Sequence, residues 1–219
     1  MIIRFFEDIN KEINVDLEVP VLEIESKTFM QALTRQMLGQ ECNDAINIEI
    51  NKKEVSLKNI LYISNIIEYD LCNKNIITKV YKELVKRISF KEAFEQQRMR
   101  IIDSVANIEN IINKDEILFD TNCDFEIIDL FKFVNLFPVR TEVLRKKIIS
   151  IIDICAEYSI SDVIIFNHLK DYLFKEDLEE IYKYSLYRRK QLLLIENKHT
   201  EELISYEKKI WIDEDDYMV

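Results

Sequence analysis

Val163-Ile164-Ile165-Phe166-Asn167 and Leu192-Leu193-Leu194-Ile195 are continuous apolar runs, and Lys175 to Arg188 between them carries its charges at helical spacing. A strand with one wet face alternates, whereas an uninterrupted apolar run fits a parallel strand covered by helices on both faces. The unit is strand-helix-strand, which places the chain in the α/β class. Outward from it, a helix is expected from about Thr141 to Glu157 and an edge strand over Lys209 to Asp213. Toward the N-terminus, Ile2 to Phe6 and Leu17 to Ile24 alternate like strands. Ser26 then caps a helix over Lys27 to Leu38, closed by Gly39 at the C′ position. Ile46 to Ile50 reads as a third strand, and Ile60 to Ile67 as a short apolar strand or its approach.

The middle of the chain differs. Asn75 to Ile88 and Lys91 to Ile112 place apolar residues three and four apart, which predicts two helices. Asp124 to Leu136 reads as a third, stopped by Phe137-Pro138. The expected organisation is a discontinuous head built from residues 1–72 and 140–219, with an α-helical leg at 73–139 inserted between its halves.

Composition removes several chemistries. Gly39 is the single glycine of 219 residues. Neither GxxxxGK[ST] nor GxGxxG can be written, and such loops need glycines where backbone approaches phosphate. The unit Val163 to Ile195 looks like half of a nucleotide-binding sheet, so the head is expected to be a P-loop-like α/β unit lacking a Walker motif, with Asn167 where a magnesium-binding acid would end the strand; plain scaffold is the competing reading. Cys42, Cys72, Cys123 and Cys155 form no CxxC pair, and they read as reduced thiols in a cytoplasm. His168 and His199 have no serine or cysteine partner at a suggestive spacing. Acids interrupt every apolar run before it could span a bilayer, so a soluble cytoplasmic protein is expected, without membrane attachment.

Two features remain. Asp120, Asn122 and Asp124 present oxygens at alternate positions, followed by Glu126 and Asp129, as a calcium loop begins. Phe125 stands where an EF-hand turns on glycine, so helix capping by the same residues is the competing reading. The net charge is −11, yet base is clustered: Lys52-Lys53 with Lys58, Lys86-Arg87 with Lys91, Arg140 to Lys147, and Arg188-Arg189-Lys190. Solvated surface is the ordinary explanation of such clusters.

The order and spacing of Leu22 to Leu38, Ser56 to Asp70, Asp124 to Leu136 with its preceding acidic loop, Val163 to Ile195, and the ending Lys209 to Val219 resemble the CRISPR-associated Csn-two family. That resemblance implies a non-catalytic protein of spacer acquisition, a homotetrameric ring that holds double-stranded DNA ends and is stabilised by calcium. CRISPR integrase proteins and the effector nuclease are its implied partners. Within it, Asp120, Asp124 and Glu126 become the leading calcium ligands, with Asn122 and Asp129 behind them. Lys27, Lys52, Lys53, Lys58, Arg140, Lys146 and Lys147 become the candidate DNA-facing cations. Two other readings compete: a protein-protein adaptor with a degenerate nucleotide-binding fold, and a metal-dependent hydrolase using the same acids.

Overall fold

A computed structural model describes residues 1–6, 11–40, 44–88, 92–112, 126–202 and 204–215. The chain divides into two compact units, Met1–Leu71 with Arg140–Val219, and Cys72–Val139.

The first unit contains a parallel sheet. Its strands are β3 (Val19–Ile24), β6 (Ile60–Ile63), β7 (Val163–Asn167), β8 (Gln191–Glu196) and β9 (Glu207–Ile212), in the order β6-β7-β8-β3-β9. Register pairs Ile165 with Leu193, Leu22 with Ile195, and Leu22 with Ile210. A second, antiparallel sheet runs β2-β1-β4-β5, from β1 (Ile2–Phe5), β2 (Glu12–Asn14), β4 (Ile46–Ile50) and β5 (Lys53–Glu54). One face of the parallel sheet, carrying Leu22, Ile24, Ile165, Leu193 and Ile212, packs with Ile3, Phe5, Ile46 and Ile48 of this second sheet. Phe29 and Leu33 of α1 (Lys27–Met37) complete that core. By alternation the other face presents Ile164, Phe166, Leu192 and Leu194, with α6 (Lys175–Tyr187) against β8 and α5 (Leu144–Glu157) against α6. The runs that read as two-sided strands are fully buried for this reason.

Several expected bounds shift. Leu17 is 78% exposed with φ 54°, so β3 starts only at Val19. The run Ile60 to Ile67 is strand only to Ile63. The helix expected over Asp124 to Leu136 is α4, Ile127–Phe133, because Asn135 turns left-handed at φ 50° and ends it. In α1 the capping is as read. Ser26 Oγ accepts from Phe29 N at 3.2 Å, and Gly39 (φ 68°) lets its own N–H reach Gln36 O at 2.9 Å and that of Gln40 reach Arg35 O at 3.0 Å.

The second unit holds α2 (Lys74–Ile88), α3 (Glu92–Ile112) and α4. Tyr81 on α2 closes it onto α4: its hydroxyl donates to Leu136 O at 2.6 Å and Phe131 O at 3.2 Å, and its ring lies 5.5 Å from that of Phe131. Phe131 O lies in the last turn of α4, where it also accepts from Leu136 N at 2.9 Å, and Leu136 lies in the segment that follows the helix.

Gln36 joins α1 to β4 with a buried amide. Its Nε2 donates to Ile46 O (2.6 Å) and Asp44 Oδ1 (3.1 Å), while Oε1 accepts from Ala45 N (3.0 Å) and Ile46 N (3.1 Å). Gln36→Ala strands two buried backbone N–H groups, so the expected loss is about 2–3 kcal/mol in urea unfolding. A loss under about 0.5 kcal/mol would show that these bonds are replaced by water.

Candidate nucleic-acid interface

The fold sorts the basic residues by what each ammonium or guanidinium already touches. Lys27, Lys52, Lys53, Lys58 and Lys146 are exposed and have no carboxylate partner among the described residues. Lys147 is engaged: its Nζ lies 2.8 Å from Ile66 O and 3.1 Å from Ile67 O, and burial holds its pKa below the ordinary lysine value. Arg140 pairs with Asp70 at 3.6 Å, and Arg145 with Glu180 at 2.6 Å and Asp177 at 3.5 Å. Arg188 is taken by Asp153 and Glu157. An exposed cation without a partner can displace the counterions condensed on DNA phosphates, whereas a lysine already bound to carbonyls is not free to do so.

Topology separates the free lysines. Lys27 follows β3, and Lys146 lies in the first turn of a helix that runs back to the start of β7, so both sit at the carboxyl edge of the parallel sheet. Lys58 directly precedes β6 and sits at the amino edge. Lys52 lies in the β4–β5 turn, where Asn51 and Lys52 take φ of 52° and 63°, and Lys53 opens β5 opposite Ile50. One chain therefore does not gather these five into a single patch.

Of the calcium candidates, Asp120, Asn122 and Asp124 lie outside the described residues. Glu126 is the exposed N-cap of α4. Its N–H donates to Asp129 Oδ2 at 3.2 Å, while Asp129 Oδ1 receives Lys132 Nζ at 2.9 Å. Lys132, then the backbone N–H of Glu126, hold the Asp129 carboxyl below its usual pKa. Capping accounts for Asp129, and the neighbouring Lys132 opposes a cation there; the Glu126 carboxylate stays exposed at the end of the acidic segment. Two carboxylates fall short of the six to eight oxygens calcium takes. Among the described residues no three His, Cys, Asp or Glu side chains assemble as a metal site.

The family model described as CRISPR-associated protein (Cas_Csn2) matches residues 40–217. The chain belongs to the Csn-two family of CRISPR-associated proteins. No curated protein matches it. Among solved structures it is similar to Stu0660 of Streptococcus thermophilus, with a TM-score of 0.58 at 12% identity over 96% of this chain and 74% of that one. That likeness is one of fold. A nucleotide-free ATP-binding cassette from an ABC transporter (TM-score 0.45, 11% identity) and the ADP conformation of the cassette MJ1267 (0.41, 10%) each align over all of this chain and 87% of theirs. Both scores are too low to establish a shared fold.

In this Csn-two protein the carboxyl edge of the parallel sheet is filled by its own charges. Only Glu25 and Ser26 join β3 to α1, leaving no loop to cradle a phosphate. Glu23, with no exposed surface, accepts from Thr200 Oγ1 at 2.9 Å and lies 3.1 Å from Lys209 Nζ. His199 Nδ1 stands 2.8 Å from the same carboxylate, with its ring stacked on Trp211 at 4.5 Å, which gives that histidine a structural place. Burial works against the Glu23 charge, but the bonds from Thr200 and Lys209 outweigh it and hold the pKa below the ordinary value. Tyr182 Oη donates to Glu207 Oε1 at 2.8 Å, and burial pushes the phenol pKa up. None of these partners was visible from spacing, since Glu23 and Thr200 lie 177 positions apart.

Glu196 is the register partner of Glu23 across the β3–β8 pair and has no cation within salt-bridge distance among the described residues, so its partners only partly offset burial. Burial raises its pKa to about 7, against the backbone N–H and ammonium of Lys170, with Asp171 adding to the rise. A folded pKa above the unfolded 4.5 gives stability that is fully present below pH 4.5 and lost as pH rises through 7. Relative to Glu196→Gln, the native chain should lose on the order of 3 kcal/mol between pH 4.5 and 8. Parallel stability curves for the two proteins over that range would contradict this.

Proposed function

We propose that this chain binds the ends of double-stranded DNA without reading base sequence and without chemistry of its own. It acts as a homotetrameric ring held shut by calcium, in the cytoplasm, during spacer acquisition with the CRISPR integrase and effector nuclease. The observation that carries the reading is a set of exposed, unpartnered lysines on a chain of net charge −11 that belongs to the Csn-two family.

The physical case is one of arrangement. DNA affinity grows with the number of phosphates neutralised, and a few scattered lysines on one acidic monomer give little of it. Copies closed into a ring would bring Lys27, Lys52, Lys53, Lys58 and Lys146 of each subunit around one duplex, while outward acids repel DNA that approaches elsewhere. Contacts to phosphate fix position and carry no sequence information. Calcium on Asp120, Asp124 and Glu126 would cancel carboxylate charge that otherwise opposes both assembly and DNA.

The adaptor reading draws on the exposed Phe133, Val134, Phe137 and Val139 of the second unit, an apolar run of the kind that marks protein contacts. The two readings separate on DNA. Lys53→Glu with Lys146→Glu should weaken retention of linear duplex at least about tenfold and flatten its salt dependence, with the tetramer intact by light scattering. Unchanged retention would remove these lysines from the interface. Asp120→Asn with Asp124→Asn should leave a protein whose mass in solution no longer responds to calcium; an undiminished response would place the ion elsewhere. Nicked or shortened DNA after incubation with magnesium would favour the hydrolase instead.

A further inference from the structure

The cluster at the carboxyl edge leaves one carboxylate without a cation. Glu196 is 4% exposed and accepts the backbone N–H of Lys170 at 3.0 Å. No lysine, arginine or histidine among the described residues comes within salt-bridge distance of it, because the nearby ammonium groups are committed. Lys170 Nζ lies 2.9 Å from Glu207 and 3.8 Å from Glu23, and Lys209 Nζ also goes to Glu23. A buried carboxylate without a partner is costly, and a nearby cation is the usual remedy.

Glu196 borders a cavity of about 230 Å³. Leu173, Leu178 and Ile204 give that cavity apolar walls, and Thr200 adds a hydroxyl. At about 30 Å³ per water it holds a handful of waters, or one extended alkyl chain with a charged head. The other charged groups that face it are largely paired: Lys175 with Glu202 at 3.6 Å, and Lys170 as above. The lining carries three basic and three acidic residues, and because Lys170 is spent on Glu207, which does not line the cavity, ionised Glu196 is left as the uncompensated charge. Its place, beyond the carboxyl ends of parallel strands, is where open α/β sheets take ligands.

We propose that this cavity binds an alkylammonium or guanidinium group, with its N–H donors on the Glu196 carboxylate and its methylenes against Leu173, Leu178 and Ile204. That chemistry is shared by a free polyamine and by a lysine or arginine side chain on a basic protein. The site is independent of the lysines assigned to DNA and of the calcium segment.

The test is titration of the full chain at pH 8 with n-butylammonium chloride, spermidine, or a blocked Ala-Lys-Ala peptide, followed by methyl resonances of Leu173, Leu178 and Ile204. All three methyl sets should shift saturably, and affinity should fall about tenfold between pH 8 and pH 6 as a proton competes for Glu196. Glu196→Gln keeps an acceptor for the Lys170 N–H, so its fold is checked by the same spectrum; it should bind at least tenfold more weakly, while Glu12→Gln, on β2 of the other sheet and away from the cavity, binds as the native chain. Spermidine tighter than both monoamines identifies a free polyamine, and the peptide tighter than butylammonium identifies a protein side chain. Equal binding by Glu196→Gln, no shift with any amine up to about 50 mM, or shifts produced by sulfate in place of amines would each overturn the proposal.

Discussion

Glu23 is a carboxylate with no exposed surface, set near the end of β3, and it has to be neutralised where it stands. Lys209 from β9, Thr200 and His199 from the segment after β8, and Lys170 from the turn after β7 converge on it. The same groups fix the carboxyl edge of the sheet, the place where an α/β protein of this kind would otherwise meet a ligand phosphate. With two residues between β3 and α1, that edge is closed by the chain's own anion. The function proposed above therefore rests on the surface lysines, and the proposed amine site on the cavity wall that Glu196 leaves uncompensated.

The central strands β7 and β8 were legible because burial on both faces leaves an unbroken apolar run, as in Ile164 to Phe166 and Leu192 to Ile195, too short for a helix and set either side of one. The helix α1 was legible from Ser26 and Gly39, each of which does one conformational job. The second sheet was not, since Ile2 to Phe5 and Ile46 to Ile50 say that they are strands but not with what they pair. Nor could spacing tell a free cation from a committed one. Lys146 and Lys147 are neighbours in sequence, yet one is exposed and the other caps the carbonyls of Ile66 and Ile67, eighty residues away. Glu126 and Asp129 illustrate the same limit: an acid that caps a helix and an acid that ligates a metal look alike until its hydrogen-bond partners are known.

An acidic protein can hold DNA when its few unpaired cations are presented together and its carboxylates face elsewhere or are cancelled by bound cations. This chain separates Lys27 and Lys146 from Lys58 across the two edges of one sheet, so the proposed DNA binding requires symmetry between copies to gather them. In the proposed ring, closure around the duplex would confer selectivity for ends, because a ring that is already shut admits DNA only by threading.

The most direct measurement compares linear and covalently closed duplex of the same sequence, incubated with the protein in calcium or with a calcium chelator. The account predicts retention of the linear form alone, lost when calcium is removed. Equal retention of the closed circle in calcium would contradict it.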